Sequence, residues 1–163
     1  MDKITYKPIG IIRTPHKEPS GIPIQAKAAE KIEGTVEIFT EYAEGLKDLS
    51  GFSHIVLIYH FHRSRKAVLH QKPFLDDEER GVFAIRSPSR PNPVGLSVVR
   101  LVGIENNILT VKGLDILDGT PLIDIKPYVP EFDAFEADRI GWLERHIEKL
   151  REMRDDGRFA DDI

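Results

Sequence analysis

Apolar and polar positions along this chain alternate mostly with a period of two. In residues 54–62, His54, Val56, Ile58, His60 and His62 fall on one face, and Ile55, Leu57, Tyr59 and Phe61 fall on the other. That is the pattern of a strand with one face to bury. Val36 and Ile38 set the same rhythm in residues 35–39, and Ile4, Tyr6, Ile9 and Ile11 carry it across Pro8 in residues 1–13. Residues 98–104 and 108–114 flank Asn106-Asn107, a pair that tolerates positive φ, and predict a hairpin. Residues 121–128 place Leu122, Asp124, Lys126 and Tyr128 on one face against Ile123 and Ile125. Helical spacing is scarcer. Tyr42, Leu46 and Leu49 suggest a short helix, and Asp133-Ala-Phe-Glu136 has the form of a capping box. After it, Ile140, Leu143, Ile147, Leu150 and Met153 recur at intervals of three and four, predicting one amphipathic helix that stops near Gly157. Successive strands joined by turns indicate an antiparallel β domain.

One stretch breaks the pattern. Val82, Phe83, Ala84 and Ile85 form an apolar run of buried-strand length. Pro88, Pro91 and Pro93 follow, and each fixes φ and removes a backbone donor. Residues 86–93 are therefore expected to be a stiff extended loop between two strands. The loop carries Arg86, Ser87, Ser89, Arg90 and Asn92. Stiffness lowers the entropy lost in holding such groups in place, which suits a binding site. Residues 14–25, with Pro15, Pro19, Gly21 and Pro23, read as a second loop. Residues 63–80 read as an exposed loop or lid, with the run from Asp76 to Glu79 as a solvated face.

Composition narrows the function. The chain has 163 residues, 40% of them hydrophobic, enough for one domain with a sizeable core. It has no cysteine, which excludes a disulfide framework, a Cys-based zinc site and a Cys nucleophile. The first residues have no apolar core of the signal-peptide kind, and no apolar run approaches a membrane span, so a cytoplasmic protein without membrane contact is expected. The net charge is −4, so contact with a nucleic acid would have to be local or shared across an oligomer. Arg63, Arg65 and Lys66 cluster without an intervening acid. His60 and His62 share a face, but His54 stands about 20 Å along the strand from His60, and no third ligand is adjacent; no metal is expected. No G-x-G-x-x-G follows a strand, so the usual dinucleotide-type fold is not indicated.

Seven segments in order carry a resemblance. They are Ile9-Gly10-Ile11-Ile12-Arg13-Thr14-Pro15, Pro23-Ile24-Gln25, Gly51-Phe52-Ser53-His54, Phe61-His62, the stretch of residues 81–97 with Arg90-Pro91-Asn92-Pro93-Val94-Gly95 at its heart, Leu114-Asp115-Ile116-Leu117-Asp118-Gly119-Thr120-Pro121, and Asp124-Ile125-Lys126-Pro127-Tyr128-Val129-Pro130. Together they resemble the TsaA-like (YaeB, TrmO) family of S-adenosylmethionine-dependent tRNA methyltransferases. The resemblance implies a mainly β fold: a single-sheet antiparallel β-barrel over residues 1–132, with a C-terminal amphipathic helix and acidic tail over residues 133–163. It also implies a homodimer, and methylation of N6 of threonylcarbamoyladenosine next to the tRNA anticodon. The family's cofactor positions map onto Pro23, Ile24, Gln25, His62, Arg63, Arg86, Leu96, Asp115, Ile116, Leu117 and Asp118. Ile24 and Arg63 depart from the basic and polar residues often found there. Longer bacterial members carry a further domain after the barrel, where this chain has its expected helix.

The acceptor nitrogen belongs to a urea and reacts better if it loses its proton during attack, which asks for a general base. Asp124, Lys126 and Tyr128 follow the cofactor turn on one predicted face. Asp124 or Tyr128 is the candidate for the proton, and Lys126 or Arg90 for the threonine carboxylate. Arg63, Arg65, Lys66 and Arg90 are candidates for the RNA patch. Two other readings compete: a non-catalytic S-adenosylmethionine-binding regulatory module, and a metal-dependent hydrolase on His60 and His62.

Overall fold

The computed structural model describes residues 3–23, 29–146, 148 and 154–156. The strands are β1 (Gly10–Arg13), β2 (Glu33–Ile38), β3 (His54–His60), β4 (His70–Gln71), β5 (Arg80–Gly81), β6 (Val94–Glu105), β7 (Ile108–Lys112) and β8 (Thr120–Pro127). Among the described residues, six of them close into a barrel in the order β1-β2-β7-β6-β3-β8, with β8 returning to β1. Each neighbouring pair is antiparallel. The mainly β, single-sheet antiparallel barrel expected from the chain is thus present. Closure leaves no free edge in the barrel. The remaining two strands, β4 and β5, form a small separate ribbon within residues 63–81.

The period-two pattern decides what lies inside. Ile55, Leu57 and Tyr59 of β3 are buried in one core with Ile12, Val36, Leu109 and Leu122, which Leu114 and Ile116 join. The expected hairpin is β6–β7, and Asn106 takes positive φ (54°) in its turn. Register shifts once where β3 meets β8: Ile58 pairs with Asp124, and Tyr59 pairs with Leu122. Ile123 is the extra residue of a bulge. Leu122 therefore faces inward with Tyr59, while Asp124 and Lys126 pair with Ile58 and Val56 on the outer face. The sequence placed Leu122 and Asp124 on one face; the bulge separates them.

Other expectations shift for physical reasons. The first strand begins only at Gly10, and Ile4 and Tyr6 remain exposed. Residues 40–46 and 49–51 form 3-10 turns in place of a short α-helix. Val82–Ala84 is a 3-10 turn and not a strand, because Val82 and Ile85 turn inward while Phe83 projects, 80% exposed. The acidic run of residues 76–79 is not a simple solvated face: the Asp76 side chain is only 12% exposed and pairs with Arg80 at 2.5 Å. Asp133 does not open a helix. It ends the short α1 (Pro130–Asp133), and its Oδ2 accepts the Val129 N–H at 2.7 Å, behind it in the chain. Residues 134–140 are not helical, and Gly141–Arg145 form a 3-10 turn. Ile147, Leu150 and Met153 of the expected helix lie outside the described residues.

Strands β1 and β2 approach so closely at Gly10 that an added Cβ would collide with the Glu37 carbonyl. Gly10→Ala is expected to lower unfolding free energy by about 1–3 kcal/mol, as overpacking does, read as a lower urea midpoint. Gly45→Ala, where open space surrounds the position, is the control and should stay within about 0.5 kcal/mol of the parent.

Candidate functional site

A cavity of about 1000 Å³ opens at one side of the barrel. Its floor is the chain where β3 runs out and β6 begins. Tyr59, Phe61, His62 and Arg63 come from the first, and Val94, Gly95 and Leu96 from the second. The strands approach closely here: an added Cβ on Gly95 would strike the Tyr59 ring, and Phe61 packs edge-on against Tyr59 at 5.4 Å. The proline-rich loop of residues 86–93 forms one wall and residues 115–117 another.

The stiff loop is anchored from beneath. Gln71 of β4 is buried. Its Nε2 donates to the Ser89 carbonyl at 2.6 Å, and its Oε1 accepts from Ser87 Oγ at 2.5 Å. The Arg90 guanidinium donates through Nη1 to the Ile85 carbonyl at 3.2 Å, which holds it across the loop. The opposite wall is tied to the core by a polar chain. Ser97 Oγ donates to Asp115 Oδ1 at 2.6 Å and lies 3.0 Å from the Tyr59 hydroxyl. Since the Ser97 proton is committed to Asp115, the Tyr59 hydroxyl donates to Ser97. Burial first, and then the charge of Asp115, raises the Tyr59 pKa, so the phenol stays protonated.

His62 stands on the cavity wall with a defined tautomer. Thr120 Oγ1 donates to the Leu117 carbonyl at 2.7 Å and lies 3.3 Å from His62 Nδ1. Its proton being used, Thr120 accepts from Nδ1–H, which leaves Nε2 as the ring's lone-pair nitrogen. Burial, then the nearby Arg63 and His60, lower the His62 pKa against a smaller opposing pull from Asp118. Asp118 itself faces away from the cavity, across the turn to the loop after β1. It accepts the Thr14 N–H at 2.9 Å and pairs with Lys17 at 2.7 Å. Burial works to raise its pKa, but Lys17, the Thr14 N–H and Arg13 together bring it below the usual value.

The fold thus brings Pro23, His62, Arg63, Arg86, Leu96, Asp115, Ile116 and Leu117 to one cavity, with Arg90 beside them. Asp118 braces the turn that presents Asp115. Ile24 and Gln25 lie outside the described residues. Arg65 and Lys66 follow Arg63 but do not line the cavity. Asp124, Lys126 and Tyr128 do not line it either. Asp124 and Lys126 form an outer-face ion pair at 2.8 Å, and the Tyr128 ring meets His54 edge-on at 6.3 Å. The bulge at Ile123 is the reason. Among the described residues no group of three His, Asp or Glu side chains converges as metal ligands. Sequence reading missed Tyr59, Phe83, Thr120 and Trp142 as lining residues. A tyrosine on the buried face of a strand, whose hydroxyl must find a partner, was the available signal for the first.

Residues 11–134 match the family model of the tRNA-methyltransferase O N-terminal domain. The chain belongs to this family. It is 62% identical over 156 residues to a "probable S-adenosyl-L-methionine-binding protein" of Pyrococcus abyssi, covering 96% of this chain and 85% of that one. It is 36% identical to the tRNA (adenine(37)-N6)-methyltransferase of Escherichia coli, covering 80% of this chain and 60% of the relative. The crystal structure of TrmO from Pseudomonas aeruginosa superposes with a TM-score of 0.74 at 38% identity, covering 88% of this chain and 63% of that one. The chain therefore spans a little under two thirds of the solved TrmO chain.

Asp118→Asn should cost about 1 kcal/mol at neutral pH through the weakened bonds to Thr14 and Lys17. Because the folded pKa is lowered, this stabilisation is complete above the ordinary carboxylate range and is lost as pH falls through the Asp118 pKa. Urea midpoints of parent and variant, compared across pH, should converge on the acid side.

Proposed function

We propose that this chain is an S-adenosylmethionine-dependent methyltransferase acting on tRNA, with N6 of threonylcarbamoyladenosine beside the anticodon as acceptor. The observation that supports the reading is the cavity, which gathers Pro23, His62, Arg63, Arg86, Leu96 and residues 115–117 from separated stretches of a chain that belongs to the tRNA-methyltransferase O family. The donor set suits the cofactor. Asp115, oriented by Ser97, offers a carboxylate to ribose hydroxyls or an amino group; Arg86 offers a guanidinium to a carboxylate; Phe61, Leu96, Ile116 and Leu117 give apolar walls. At about 1000 Å³ the cavity sits at the upper end for small-molecule sites, leaving room for an acceptor base. When bound, S-adenosylmethionine supplies a methyl group carried on a cationic sulfur.

The chain's own contribution is positioning, water exclusion and the fate of a proton. His62 is the better candidate for that proton than Asp124 or Tyr128. Its Nε2 carries the free lone pair, its lowered pKa keeps it neutral near pH 7, and it lines the cavity where the other two do not. Arg90 remains the candidate for the threonine carboxylate. Arg63, Arg65 and Lys66 form a local cationic rim for RNA, and a homodimer, bringing two exposed Phe83–Leu96 surfaces together, would double it.

A second reading, an S-adenosylmethionine-binding module without transfer, draws on the placement of Asp124, Lys126 and Tyr128 away from the cavity. Labelled S-adenosylmethionine incubated with total tRNA, with and without the threonylcarbamoyl group, separates the two. Label only in the modified pool is the expected result; cofactor binding with no label in either pool would favour the second. Turnover should rise with pH and level off below the ~6.5 of free imidazole, because the His62 pKa is lowered. His62→Asn should reduce turnover at saturating cofactor on the order of 10²-fold or more and flatten that rise, with any loss of cofactor affinity measured separately because His62 is also one of the cofactor positions. An unchanged profile would remove the role.

A further inference from the structure

The family match ends at residue 134, but the cavity wall continues beyond it. Trp142, Leu143 and Asp155 also line the cavity. They belong to residues 141–146 and 154–156, two stretches fastened to its rim at separate points. Trp142 Nε1 donates to the Ala84 carbonyl at 2.8 Å, in the turn that precedes Arg86. His146 packs 6.2 Å from the indole, and its Nε2 lies 3.9 Å from Asp76 Oδ2. Asp155 N donates to Ile22 O at 2.8 Å and Asp155 O accepts from Gly21 N at 2.7 Å, with Arg154 bridged to Pro23.

The surroundings of Trp142 show a built position. Arg80 lies 5.8 Å from the ring centroid, itself held by Asp76 and Glu78. Arg80 does not line the cavity and Trp142 does, so the indole gives one side to the guanidinium and another to the cavity. Its N–H is already satisfied by backbone. What remains toward the cavity is an apolar aromatic surface, fixed on both sides and suited to a planar or apolar part of a ligand.

We infer that residues 141–146 and 154–156 supply a wall of the cofactor site from outside the matched domain, with Trp142 a cofactor-contacting residue. The inference rests on the S-adenosylmethionine reading above. Trp142 is the single tryptophan of the chain, so its emission reports on this wall alone. The 163-residue chain is titrated with S-adenosylmethionine, followed by tryptophan emission and, in parallel, by calorimetry. A saturable emission change with the same Kd as the heat is expected. Trp142→Ala should bind about tenfold more weakly, the loss of one aromatic contact, and Trp142→Phe less than that. Both should keep the barrel's circular dichroism. Binding heat with unchanged emission, and unchanged affinity in either variant, would overturn the inference while leaving the cofactor reading intact. No binding heat in the parent would overturn both. Should Trp142→Ala fail to fold, the parent's emission titration and Trp142→Phe decide the matter.

Discussion

Closure of the barrel through β8 is the constraint on which the rest depends. This strand bonds to β1 on one side and to β3 on the other. Without it the sheet would have two open edges, and the chain ends of β3 and β6 would have no fixed relation to residues 115–117. A closed barrel must reconcile strand register with side-chain alternation all the way round. Here the mismatch is absorbed at one residue, Ile123. The buried face of β8 therefore changes parity part-way along, and the polar residues beyond the bulge are carried outside.

The cavity follows from that closure. Its polar groups are not free-standing. Tyr59, rooted in the core, reaches Asp115 through Ser97, and Thr120 at the start of β8 sets the tautomer of His62. Core packing and site electrostatics meet in the same few residues. The close approach at Gly95 belongs to both, since the missing Cβ leaves the space that the Tyr59 ring occupies.

Much of this was legible in the sequence. The alternation in residues 54–62 identified the inward face of β3, and Asn106-Asn107 marked the hairpin turn. The proline spacing in residues 86–93 announced a rigid loop, and the ordered motifs included Pro23, His62, Arg63, Arg86, Leu96 and residues 115–117, which line one cavity. Three things were not legible. A bulge leaves no mark in a period-two pattern, so Asp124, Lys126 and Tyr128 were read onto the wrong face. The run from Val82 to Ile85 has strand composition, but the pairing of β4 with β5 just before it is only two residues long, and the chain turns once that pairing ends. The spacing of Ile140 and Leu143 is helical, yet Gly141 at positive φ (60°) and the Trp142 anchor on Ala84 hold that segment in a 3-10 turn. Tertiary attachment overrides a local pattern that it does not contradict in composition.

Gln71 beneath the proline-rich loop has a further consequence. One amide holds the loop by two different handles, the Ser87 side chain and the Ser89 main chain, from a strand only two residues long. The two ends of an amide lie a fixed distance apart, so the loop is measured as well as anchored. A residue gained or lost between Ser87 and Ser89 would leave one end of a buried amide without a partner. The exposed side chains of the loop are therefore free to differ while its length is held constant from within.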